Sequence, residues 1–385
     1  MSIDERVHSI PLNRLWLSGK EIEYIKDAIG RGHISSDGIY TERAQTLLEK
    51  SLSVKKVLLT TSCTRALEMA ALLLDIQPGD EVIVPSFTFI STANSFAQLG
   101  AVPIFIDIRP DTLNLDEGQL ERLITPRTKA IIPVHYAGIG CELDAISDIA
   151  RRHQVAVIED NAHGLFGKYK GRYLGSIGCM AALSFGGLKN LTCGEGGALM
   201  INDDSYTARA EVVRDCGSNK AHFLRGLVDE YGWVDLGSKH LLPDLLAAFL
   251  FAQLEAREII QNRRTKIWTY YHDVLKAWAE TQNVRLPEPP NHCESSFHIF
   301  YLIMESTEQR SALMSHLMKS GVTALPHFPP LHLSKMGSRY GARKGDCPVT
   351  EEISGRILRI PIYPALTDLE MEHIVKSICS FSRIH

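Results

Sequence analysis

Lys189 falls four residues beyond the apolar run AALSF (181–185), inside the glycine-rich stretch Ser184-Phe185-Gly186-Gly187-Leu188-Lys189-Asn190 to Gly197. A lysine there is commonly a solvated surface residue, but one held at the mouth of a site can lose its proton and form a Schiff base. The glycines contain no GxxxxGK[ST] run and no GxGxxG after the first strand, which discounts a nucleotide loop. Asp160 and His163, in Val157-Ile158-Glu159-Asp160-Asn161-Ala162-His163, could bind a metal, cap a helix or hold a protonated ring nitrogen. The hydroxyl-rich run Thr60-Thr61-Ser62-Cys63-Thr64 opens a helical pattern, where free amides favour a phosphate dianion or the run is an ordinary N-cap. Phe89, in Pro85-Ser86-Phe87-Thr88-Phe89, either packs in the core or stacks on a flat ligand.

These runs need strands to deliver them. Short, β-branched apolar segments recur at 56–60, 81–85, 103–107, 129–134, 155–160, 181–185 and 198–202, as strands buried on both faces do. Helical patterns separate several of them, clearest in TRALEMAALLLDI (64–76). The alternation predicts an α/β fold with a mostly parallel sheet covered on both faces. Ligands of such sheets sit beyond the C-terminal strand ends, where the four runs above lie. After Pro243 a segment of over thirty residues without Pro or Gly predicts one long helix leaving one domain and entering another. A Pro-rich loop (286–295) follows, then a strand at 297–304, a helix around 307–320, and strand-like pieces at VTALP and LRIPIY. Two domains are expected, 1–260 and 261–385, with the N-terminal segment packing on the smaller one.

Composition narrows the function classes. The 385 residues are 45% hydrophobic and 22% charged, an ordinary globular balance. A net charge of −4 gives no basic excess for a nucleic-acid backbone. No apolar run approaches the ~20 residues of a membrane span, and the acidic start MSIDERVHS has no signal-peptide core. The eight cysteines form no CxxC pair and no metal rhythm, so they read as reduced thiols in a cytoplasmic protein.

Anion seat, acid, aromatic ring and lysine, in this order on strand ends of one sheet, are the parts that pyridoxal phosphate requires. The run SCTRALEMAALLLDIQPGDEVIVPSFTFISTANSFAQLGA, with PVHYAG, the Asp160–His163 segment, the Lys189 segment and CGEGGAL, resembles the DegT/DnrJ/EryC1/StrS sugar-nucleotide aminotransferases over residues 10 to 380. The branch it most resembles is that of the dTDP-4-amino-4,6-dideoxygalactose transaminases.

That resemblance implies the aspartate-aminotransferase fold (fold type I) and a homodimer with shared active sites. By position, Lys189 would be the Schiff-base lysine, Asp160 the partner of the pyridinium nitrogen, His163 a neighbour of the 3-oxygen, and Phe89 the stacking ring. Cys63, Thr64 and Ser184 would hold the phosphate, and Asn219 would reach the phosphate in the partner chain. Glu195 would lie near the site. The substrates implied are L-glutamate and a dTDP-4-keto-6-deoxyhexose, for cell-surface polysaccharide synthesis. Two stretches depart from the family pattern: Gly186 and Leu188 stand where His and Thr are usual, and Gly237–Asp244 replaces a Tyr- and Arg-containing stretch. Lys189 argues against the related dehydratases, which carry histidine in its place. A catalytically weakened scaffold is the alternative from another class; the missing dinucleotide fingerprint disfavours an oxidoreductase.

Overall fold

The computed structural model describes residues 9–381. Residues 1–8, which hold most of the acidic start, and 382–385 of the expected second domain lie outside the described residues. Among the described residues twelve strands form in chain order: β1 (Lys56–Thr60), β2 (Glu81–Pro85), β3 (Val102–Ile106), β4 (Thr128–Ile131), β5 (Ala156–Asp160), β6 (Lys168–Tyr169), β7 (Arg172–Tyr173), β8 (Met180–Ser184), β9 (Gly197–Ile201), β10 (Cys293–Glu294), β11 (Phe300–Ile303) and β12 (Ile357–Ile360). The seven apolar runs all become strands of one sheet in the order β1-β9-β8-β5-β4-β2-β3. Only β9 runs antiparallel to its neighbours, β1 and β8. The other pairs are parallel. Helices pack on the sheet, giving the α/β arrangement expected.

Reversal of β9 has a positional consequence. Its first residue, Gly197, pairs with the last residues of both β1 and β8, Thr60 and Ser184. Five strands therefore present chain ends at one edge: Thr60, Pro85, Asp160, Ser184 and Gly197. A Cβ on Gly197 would stand 2.3 Å from the Ser62 carbonyl carbon and 2.4 Å from the Cys63 nitrogen. The loop after β1 lies directly on that glycine, which fixes where the following helix, Cys63–Leu73, begins.

One buried cluster draws on Ile267, Trp268, Phe300, Leu358 and Ile374 and takes in Ile10 from the start of the chain. Ile10 pairs with Val322, donating to Gly321 O at 2.8 Å and accepting from Thr323 N at 2.9 Å. Polar ties join the C-terminal third to the large sheet. Asp107, just past β3, accepts from the Val349 and Thr350 amides at the start of helix Pro348–Arg356, both at 2.8 Å. Asp244 plays the same part for helix Ile39–Leu52, accepting from the Thr41 amide at 2.7 Å.

Two expectations about elements are corrected. The single long helix after Pro243 is two helices, Asp244–Glu255 and Arg257–Gln282, meeting at Ala256 (φ −87, ψ 6). No Pro or Gly marks the break; Ala256 and Ile260 are buried in the sheet-side core, and tertiary packing sets the turn. VTALP forms no strand, contributing only isolated bridges from Val322 and Leu325. Among the described residues, no helix is long and apolar enough to cross a membrane.

Candidate active site

The sheet edge and the loops of the C-terminal third enclose a cavity of about 1170 Å³. Cys63, Thr64, Phe89, Asp160, His163, Ser184, Lys189 and Glu195 all line it. Asn219 does not; its side chain closes the 219–232 loop, donating to Glu230 O at 2.9 Å and accepting from Gly232 N at 2.8 Å.

Asp160 ends β5 and is buried. Its Oδ2 accepts from Thr92 Oγ1 at 2.7 Å and its Oδ1 from the Ala162 amide at 3.2 Å, with Cys63 Sγ 4.0 Å away. Burial raises its pKa above the usual carboxylate value, outweighing those hydrogen bonds. Lys189 closes a turn through its amide to Gly186 O at 3.0 Å. Burial lowers its pKa too, against the pull of Cys63 and Asp160. An amine so placed gives up its proton more readily, as a nucleophile must.

His163 is buried, and its Nδ1 has no hydrogen-bond partner. Burial, and then the charge of Lys189, holds its pKa well below the usual value, so the ring is neutral near pH 7. Its ring lies 4.3 Å from that of His298 and 5.9 Å from that of His327. At the start of helix Cys63–Leu73, the Ser62 hydroxyl accepts from the Arg65 amide at 3.2 Å. Among the described residues, no partner is found for the Cys63 and Thr64 amides. Phe89, 58% exposed, borders the cavity beside Phe328, with 6.4 Å between rings. Phe87, by contrast, is buried against Tyr136.

Several groups in or behind the cavity wall escaped sequence reading. Thr92, which holds Asp160, follows Thr88 by one helical turn, and the two hydroxyls lie 2.8 Å apart. That i, i+4 spacing after a strand end was the available signal. His298 is fixed by Asn190, the residue after the lysine, through Nδ1 to Oδ1 at 2.8 Å. Arg264 holds the same segment by donating to the Phe297 and His298 carbonyls. In the segment 327–332, residues 327–331 line the cavity, whereas His332 is buried between Ser86 and Glu351. At Gly186 and Gly187 a Cβ would meet nothing closer than 3.7 Å, so the missing side chains leave open room beside Lys189.

These residues fit pyridoxal phosphate: free amides at a helix start for a dianion, a buried acid, an unpartnered imidazole nitrogen and a lysine with a lowered pKa share one cavity. Among the described residues, no cluster of His, Cys, Asp or Glu is suited to a metal.

Comparison with known proteins agrees. The model of the DegT/DnrJ/EryC1/StrS aminotransferase family matches residues 17–379. The spore coat polysaccharide biosynthesis protein SpsC of Bacillus subtilis is 31% identical, with 98% of each chain covered. Spr1654 of Streptococcus pneumoniae, assigned as a sugar aminotransferase and solved in its PMP form, superposes with a TM-score of 0.90 at 26% identity, covering 96% of this chain and 98% of that one. DesV of S. venezuelae, solved with a ketimine intermediate, gives 0.88 at 29% identity, over 97% of this chain and 100% of that one. The chain belongs to the DegT/DnrJ/EryC1/StrS aminotransferase family and is a pyridoxal-phosphate-dependent aminotransferase.

Proposed function

We propose that the protein transfers an amino group from L-glutamate to the ketone of a dTDP-4-keto-6-deoxyhexose, giving a dTDP-4-amino-4,6-dideoxyhexose for cell-surface polysaccharide. The observation that carries the reading is Lys189 facing one cavity with Asp160, His163 and the start of helix Cys63–Leu73. The likeness to SpsC, a polysaccharide biosynthesis protein, and to Spr1654, assigned as a sugar aminotransferase, supports the substrate class.

In this reading the cofactor supplies an electron sink for the carbanion left when a proton leaves the substrate carbon. Lys189 carries the cofactor at rest and, once released, its Nζ moves that proton. Asp160 keeps the ring nitrogen protonated, and Thr92 holds Asp160 in place. His163 would lie near the 3-oxygen, Phe89 would cover the ring, and Cys63, Thr64 and Ser184 would hold the phosphate. Work divides between a cofactor-binding part up to about residue 260 and a smaller part beyond it. A cytoplasmic location suits both substrates.

The proposed homodimer draws support from the segment after Asn219. Leu224, Leu227, Tyr231, Trp233 and Leu236 are each more than 60% exposed there. A surface so apolar is expected to be covered by a second copy, bringing Asn219 to the partner's phosphate. Light scattering giving twice the chain mass is the expected outcome.

The central test is Lys189→Ala. Wild type is expected to be yellow, with a band that borohydride bleaches, and to release 2-oxoglutarate from L-glutamate with the keto-sugar. The variant should lose the covalent band. A variant that kept it would remove Lys189 from this role.

A further inference from the structure

The segment just before β11 carries an imidazole whose hydrogen bonds fix its tautomer. His298 is buried, and its carbonyl and that of Phe297 both accept from the Arg264 guanidinium. Its Nδ1 lies 2.8 Å from Asn190 Oδ1. The Asn190 amide has one orientation open to it. Its Nδ2 is 2.8 Å from the Ser296 carbonyl, which can only accept, so Oδ1 must be the atom that meets the ring. Gln261 Nε2 donates to the same carbonyl at 3.1 Å. An amide oxygen, too, can only accept, so Nδ1 of His298 carries the proton. In a neutral ring Nε2 is then bare and offers a lone pair.

The surroundings keep the ring neutral. Burial, and then the charges of Lys189, Arg264, His327 and Arg359, hold its pKa well below the usual histidine value. Arg359 itself lines the cavity from β12 with its Nε unpartnered. His163 lies against one face of the His298 ring, 4.3 Å between centres. His298 lines the cavity together with Lys189, and among the described residues no hydrogen-bond partner is found for its Nε2. A clamped backbone, a fixed tautomer and a covered face thus leave one unused polar atom on the wall, and it is an acceptor.

What it accepts follows from the chemistry of the substrates. Phosphates and carboxylates have no proton to give. The ammonium of an amino donor is a cation, which the surrounding bases repel. A sugar hydroxyl is neutral and donates. In a 4-keto-6-deoxyhexose the two carbons flanking the ketone carry a single hydroxyl between them, on C3, since C5 bears the methyl group and the ring oxygen.

We infer that His298 Nε2 accepts a hydrogen bond from the C3 hydroxyl of the sugar, selecting that substrate and turning its ketone toward Lys189. The inference rests on the keto-sugar reading above and names the group that would recognise the sugar ring.

Titration calorimetry on the holoenzyme compares dTDP, dTDP-6-deoxyglucose and the 3-deoxy counterpart of that sugar, none of which has a ketone to react. Wild type should bind the sugar with the C3 hydroxyl about 3- to 10-fold more tightly than the 3-deoxy one, the contribution of one neutral hydrogen bond. In His298→Phe the preference should disappear while dTDP binds as before. His298→Gln, which returns an oxygen acceptor, should recover part of it. In the amination half-reaction the KM for the keto-sugar should rise by a similar factor in His298→Phe. Nitrogen NMR of protein labelled in its histidine rings reads the tautomer without any ligand, the His298 signals being those lost in His298→Phe. A ring protonated at Nε2, a wild type without the preference, or a preference that survives in His298→Phe overturns the proposal. So does equal weakening of all three ligands in both variants, which would make His298 a packing residue. Wild type that binds dTDP but does not distinguish the two sugars sinks this inference alone. Wild type that binds none of the three sinks the dTDP-sugar reading and this inference with it.

Discussion

Two adjacent acids at the end of β5 face opposite ways, and their surroundings differ in kind. Glu159 points away from the cavity into a site that satisfies it completely. Its Oε1 accepts from the Ile177 and Gly178 amides at 2.8 and 2.7 Å. Its Oε2 takes the Gly175 amide at 2.7 Å and lies 2.8 Å from His135 Nε2. Asp160, one residue on, has Thr92 and one amide, and shares its surroundings with Lys189 and with an imidazole whose Nδ1 lacks a partner. Strand alternation sends the two carboxylates to opposite faces of one sheet. Both are buried, yet their pKa values move in opposite directions. Burial alone would raise both; at Glu159 the His135 contact and the amides overcome it, and at Asp160 the hydrogen bonds do not. A buried polar group with every partner supplied by its own chain holds the fold together. One with partners missing is where a ligand belongs.

Substituting each acid by its amide tests the contrast, and the larger effect is expected at Asp160. Asp160→Asn retains one acceptor for Thr92 or Ala162, and it removes a carboxylate that the native state disfavours. Stability of the cofactor-free protein should change by no more than about 1 kcal/mol. Transamination should fall by about 10²- to 10⁴-fold, since an amide cannot hold a proton on the ring nitrogen. Chemical denaturation beside half-reaction rates measures both quantities. Unchanged rates would remove the distinction between the two acids.

Glu159→Gln should show the reverse pattern. Its new NH₂ faces amide donors, leaving them unsatisfied in a dry site, at a cost of about 3 kcal/mol in stability. The folded pKa of Glu159 lies below its unfolded value of about 4.3, so its contribution is present above that pH and is lost as pH falls through the folded pKa. For Asp160 the folded value lies above the unfolded one, so its contribution is present at low pH and is lost as pH rises through the folded pKa. Unfolding free energies between pH 3 and 6 should show Glu159→Gln flattening the acid limb and Asp160→Asn steepening it. Equal slopes in the two variants would contradict the assignment.

How much of this the sequence carried depends on distance along the chain. Seven apolar runs declared the sheet because continuous hydrophobicity is a local property of doubly covered strands. Lys189, Asp160, His163 and the helix start were legible because each follows such a run directly. The different fates of Glu159 and Asp160 were not legible, since the donors that decide them lie 16 to 19 residues downstream in one case and 68 upstream in the other. Arg359 is 170 residues from Lys189, and its unpartnered Nε becomes visible only when β12 is folded against β11 and the 326–328 segment. The break at Ala256 was hidden for the same reason: no breaking residue marks it.

The smallest expected effect sharpens the contrast most, because it touches a support and not the acid itself. Thr92 Oγ1 donates to Asp160 and lies 2.8 Å from Thr88 Oγ1, so a chain of two hydroxyls orients the carboxylate. Thr92→Val keeps the shape and removes the bond. A neutral hydroxyl to a buried carboxylate is worth about 1 kcal/mol net, within a factor of two or three, so activity should fall by only about 3- to 10-fold. Losing this donor should also raise the Asp160 pKa further, since Thr92 is the strongest influence lowering it. If Asp160 works as an ionised group, the acidic limb of the transamination pH profile should move to higher pH in Thr92→Val, and Thr92→Ser should move it back. A stability loss with no shift in that limb would make Thr92 a packing residue. Asp160 would then be held by the fold as fully as Glu159 is, and the difference between the two acids would lie in their burial alone.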